Sequence, residues 1–63
     1  MDLKPHEKLK VSRLRKGYTQ DKLATLLHCS QMEVSRLERG KKPTNTTLQK
    51  HIEKILEVKI WTT

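Results

Sequence analysis

Apolar positions recur along this chain at helical intervals, in short packets that polar turns close off. Leu23, Ala24, Leu26 and Leu27 put an apolar face on a segment beginning near Gln20. Val34 and Leu37, three apart, put a narrower stripe on the next segment, so that Gln31, Met32, Ser35, Arg36 and Arg39 point elsewhere. Leu48, Ile52, Ile55 and Leu56 stand at i, i+4, i+7 and i+8 and form a full core-facing stripe. In a first helix over about residues 5–16, Leu9 and Leu14 are expected to face the core, with Lys8, Lys10, Arg13, Arg15 and Lys16 over the rest. The pattern predicts a compact, all-α four-helix domain.

Boundary residues sharpen these elements. Pro5 suits the first turn of a helix and Gly17 its end. Thr19 can cap the second helix, with Asp21 against the positive end of its dipole. Ser30-Gln31-Met32-Glu33 reads as a reciprocal capping box that starts the third helix and stops the second near His28. Gly40 and Pro43 end the third, and Thr44 or Asn45 caps a fourth running to Leu56. Small Ala24 suits a close helix crossing. Residues 57–63, with Val58, Ile60, Trp61 and two threonines, favour an extended, strand-like tail. Such a tail either pairs with its copy in a second chain, with Trp61 near the interface, or packs back on its own domain.

Composition narrows the function. The 63 residues make one small domain, 1–63, with a single modest core and little room for an active-site cavity. Fourteen Lys and Arg against seven acids give +7, which attracts polyanions, nucleic acid before anionic membrane. No stretch is long and apolar enough for a membrane span or signal core, so the expected location is the cytoplasm, on the nucleoid when bound to DNA. The single Cys29 reads as a small buried thiol. The spacings of His6, His28 and His51 lack a chelating pattern, and no carboxylate pair, Cys/His arrangement or glycine-rich phosphate loop is present. The expectation is therefore no metal, no cofactor and no enzymatic chemistry.

Two short helices, a tight turn and a basic loop over residues 19–42 are the layout of a helix-turn-helix DNA reader. Gly17-Tyr18-Thr19-Gln20, Leu23-Ala24, the run Val34-Ser35-Arg36-Leu37-Glu38-Arg39-Gly40, Pro43 and Thr47-Leu48 extend the match over residues 8–56. The chain resembles the Cro/phage-repressor-type helix-turn-helix domains of the XRE family. The resemblance implies a lambda-repressor-like bundle that binds double-stranded operator DNA, usually as a homodimer, to regulate transcription.

It also implies roles at the matching positions. Gln31, Met32, Ser35 and Arg36 match positions that enter the major groove. Gln31 suits adenine, Arg36 guanine and Met32 a thymine methyl. Gln20, Arg39, Lys41 and Lys42 match positions that hold the DNA backbone. Arg13 and Glu38 match an ion pair between the first and third helices that orients the reader. Two departures stand out. His28 occupies a turn position where the family usually has glycine and positive φ, so some strain is expected. The family's fifth helix is replaced by residues 58–63. The alternative function on the same fold is a protein-interaction module, an antitoxin bound to a toxin or an adaptor, with the tail as docking strand. The polar face of the third helix favours DNA.

Overall fold

The computed structural model describes residues 3–43 and 45–61. It contains four helices, α1 (Pro5–Arg15), α2 (Gln20–Leu27), α3 (Gln31–Glu38) and α4 (Thr46–Leu56), and among the described residues no strand. Each start follows local chemistry. Pro5 occupies the first turn of α1, where the Glu7 carboxylate accepts the Lys4 amide at 2.8 Å. Thr19 Oγ1 accepts the Lys22 amide at 3.0 Å, and Asn45 Oδ1 accepts that of Leu48 at 2.7 Å. Ser30 Oγ accepts the Glu33 amide at 3.2 Å, but the Glu33 carboxylate extends to Lys41, so the expected reciprocal box forms its forward half. Thr44, the other cap considered for α4, lies outside the described residues.

All four helices end alike. The amide of Tyr18 bonds the carbonyl of Arg13, Cys29 that of Ala24, Lys41 that of Arg36 and Val58 that of Glu53, each spanning five residues around a residue with positive φ. Those residues are Gly17 and Gly40, as glycine's freedom suggests, and also His28 (φ 57°) and Glu57 (φ 55°). The turn geometry expected of glycine at position 28 is kept by a histidine.

The core draws Leu9 from α1, Leu23, Ala24 and Leu27 from α2, Val34 and Leu37 from α3, and Ile52 and Leu56 from α4. Each fully buried aliphatic side chain contributes about 1.5–3 kcal/mol. Leu48 and Ile55 pack against this cluster half-buried. Leu14 does not join it and is 56% exposed. Five residues beyond Leu9, it lies about 140° round the helix from the core line, and Arg13, about 40° away, takes the inward place instead.

The tail is neither a strand nor a free edge over its described part. After the Glu57 turn it folds back on its own domain, burying Ile60, with Val58 and Trp61 packed alongside. One oxygen of the Glu53 carboxylate accepts the amides of Ile60 at 2.7 Å and Trp61 at 2.8 Å. Those two donors, which a β-ladder would have used, are satisfied within the chain. Residues 62 and 63 lie outside the described residues.

Candidate nucleic-acid interface

α2 and α3 share the largest interface between any two helices. Ala24, buried on α2, has no side chain beyond Cβ and lets the two backbones approach. Residues 28–30 make the turn, with His28 left-handed (ψ 41°) and Ser30 extended, which sends the chain directly into α3. Cys29, half-buried in this turn, has its thiol pKa raised, first by burial and then by the negative charge of Glu33, so it stays a protonated, inert filler.

Val34 and Leu37 fix α3 by its buried side. On its other sides Gln31, Arg36, Arg39 and Met32 are exposed, the last by 61%. Ser35 is half-buried, and its hydroxyl accepts a 2.7 Å bond from Arg39 Nη2. Ser35 and Arg39, assigned separate roles by resemblance, are thus brought together, an i,i+4 relation that helical spacing alone could have revealed.

Behind α3, Arg13 Nε donates to Glu38 Oε2 at 2.6 Å and Arg13 Nη2 to Glu38 Oε1 at 3.2 Å, a two-pronged pair. Arg13 Nη1 donates to the Tyr18 carbonyl at 2.7 Å, and Gln20 Nε2 to Glu38 Oε1 at 3.1 Å. One network therefore ties α1, the loop after it, the first residue of α2 and the last residue of α3. Among the described residues no buried side-chain nitrogen or oxygen lacks a partner. Gln20 spends one amide hydrogen here, leaving its second hydrogen and its oxygen for a ligand at the positive end of α2.

Past α3, Gly40 (φ 115°) turns the chain and Pro43 is buried. Lys41 and Lys42 are exposed, and Lys41 Nζ lies 3.4 Å from Glu33 Oε2. Glu33 carried no role beyond capping in the sequence. Its link to Lys41, eight residues on, crosses a helix end and has no sequence signature. Among the described residues no group of three or more His, Cys, Asp or Glu side chains gathers as a metal site. Nor is any helix there long and apolar enough to cross a membrane.

Two helices joined by a three-residue turn, the second buried by two aliphatics and polar outside, define a helix-turn-helix DNA-binding domain. The helix-turn-helix family model matches residues 9–60. The chain belongs to that family, in its Cro/C1-type or XRE branch, whose members bind DNA to regulate transcription. No curated protein and no solved structure matches it.

Proposed function

We propose that the protein is a repressor-like regulator acting as a homodimer, each copy laying α3 in the major groove of one half of a palindromic operator. The observation that carries this reading is the exposed, hydrogen-bonding face of α3, braced from behind by the Arg13–Glu38–Gln20 network. A helix braced in this way is held in place before it meets its ligand, which lowers the ordering cost of binding. Gln31 suits the N6/N7 edge of adenine, Arg36 the O6/N7 edge of guanine, and Met32 a thymine methyl. Gln20, Lys41 and Lys42 hold phosphates on either side. Regulation follows from occupancy of the site, without chemistry on the DNA.

Helix length supports a dimer. Eight residues span about 12 Å, the rise of only about four base pairs at 3.4 Å each. So short a site is not distinctive against about 10⁶–10⁹ competing sites, whereas two half-sites about one turn apart are. The described tail packs within its own domain, so the dimer contact in this reading is not a β-pairing of residues 58–61. The +7 charge aids encounter without sequence preference, as suits a cytoplasmic protein on the nucleoid.

Selection of bound sequences from a random duplex library, followed by salt titration of the winner, tests the proposal. The expected result is an enriched inverted repeat bound at least about 10³ tighter than nonspecific duplex. Salt-sensitive binding with no enrichment overturns it, in favour of an antitoxin-like or adaptor protein that uses the same fold to hold a protein partner.

A further inference from the structure

We infer that Arg39 reads a base edge rather than holding a phosphate, and that Ser35 is its positioning residue. This rests on α3 being the DNA-reading helix and reverses the roles that resemblance gives these two side chains.

Three observations carry it. Seven residues beyond Met32, Arg39 lies within about 20° of it on the helical wheel. Its backbone therefore stands on the line of an exposed reading residue, two turns further on. Helical side chains also lean toward the N-terminus. Here Arg39 Nη2 reaches back a full turn to Ser35 Oγ at 2.7 Å. The guanidinium is thereby lodged beside Ser35, at mid-helix height, instead of extending with Lys41 and Lys42 into the loop. Lastly, the bond to Ser35 spends one of the five N–H donors of Arg39. A parallel pair on the two Nη atoms remains for the O6 and N7 of guanine. Ser35, half-buried while Arg39 is exposed, is the poorer candidate for direct contact, although its hydroxyl keeps its own O–H donor.

The test is sequence selection with the full chain and its Arg39→Ala, Arg39→Lys, Ser35→Ala and Arg36→Ala variants, with helicity checked by circular dichroism. Arg39→Ala should lose about 10- to 100-fold of the preference at one base pair, distinct from the one lost in Arg36→Ala. Arg39→Lys keeps the charge without the planar fork and should lose that preference with its salt dependence unchanged. Ser35→Ala should lose about 3- to 10-fold at the same base pair, as expected when a fork remains but is no longer fixed. Equal weakening of all duplexes by Arg39→Ala, with a salt slope shallower by about 1, makes Arg39 a phosphate contact and overturns the inference alone. An unchanged preference in Ser35→Ala overturns the positioning role. If the unsubstituted protein enriches no sequence, the reading of α3 falls and this inference with it.

Discussion

Arg13 and Glu38, 25 positions apart, meet through two hydrogen bonds of 2.6 and 3.2 Å with side chains only 8% and 4% exposed. They join the inward side of α1 to the last residue of α3, so α3 is oriented by a charge pair as well as by Val34 and Leu37.

Breaking that pair from one side leaves a buried charge uncompensated. Glu38→Ala or Arg13→Ala should cost about 3–5 kcal/mol. A domain of this length has only about 3–9 kcal/mol in all. Urea denaturation should therefore find each single variant near the edge of unfolding. The double change Arg13→Met with Glu38→Leu should recover much of the loss. A single-variant cost below about 1 kcal/mol would show the pair to be solvent-shared.

His28 sits at φ 57° with a Cβ that the left-handed region penalises. His28→Gly should stabilise the domain by about 0.5–1 kcal/mol, net of the extra freedom of the unfolded chain. Thermal unfolding should show a rise of a few degrees. The same change at Glu57 should gain less, because it removes the carboxylate that pairs with Lys16.

Glu53 clasps the returning tail through the amides of Ile60 and Trp61. Bonds to a charged acceptor are the stronger kind, and Glu53→Ala should cost about 2 kcal/mol and speed hydrogen exchange at both amides. Trp61 is the chain's one tryptophan, so a red shift of its emission reports the release of the tail directly. An unchanged emission maximum together with unchanged exchange would show that burial of Ile60 alone holds the segment.

Lys16, just past the end of α1, and Glu57, in the turn after α4, form an ion pair. Their hydrogen bond raises the lysine pKa and lowers that of the glutamate. The glutamate's contribution to stability is present above its unfolded value and lost as pH falls through its lowered folded value. The lysine's is present below its unfolded value and lost as pH rises through its raised folded value. Both groups are open to solvent, so the effect is small and screened by salt. Comparing the protein with Lys16→Ala over pH 3–6, the difference in stability should shrink toward acid and be smaller still in high salt.

In the function we propose, Arg36 reads a base and Lys42 holds the backbone, and substitution separates the two roles. Arg36→Ala should cost about 1–3 kcal/mol on the selected duplex and relax preference at one base pair. Lys42→Ala should weaken all duplexes alike and reduce the salt slope by about 1. If Arg36→Ala also weakened all duplexes alike, its assignment as a base reader would be wrong.

Much of the architecture was legible in the order of residues, because helices are set by local spacing and by caps within a turn of them. The i,i+3 and i,i+4 stripes and the residues Pro5, Thr19, Ser30 and Asn45 are enough to place four helices and the turn between α2 and α3. The polar face of α3 follows from the same periodicity. Relations between distant segments were another matter. Helical spacing from Leu9 already turns Leu14 outward, but that a charged Arg13 can take the inward place depends on a carboxylate 25 positions away. The left-handed turn at Glu57 and the return of Ile60 and Trp61 onto Glu53 go with the burial of Ile60 in the core, against the strand preference of the tail. Local sequence determined where the helices start and which faces they offer. Apart from the Arg13–Glu38 pair that the resemblance implied, only the tertiary structure decided which polar groups would meet, because buried polar groups take their partners from whatever the packing brings within reach.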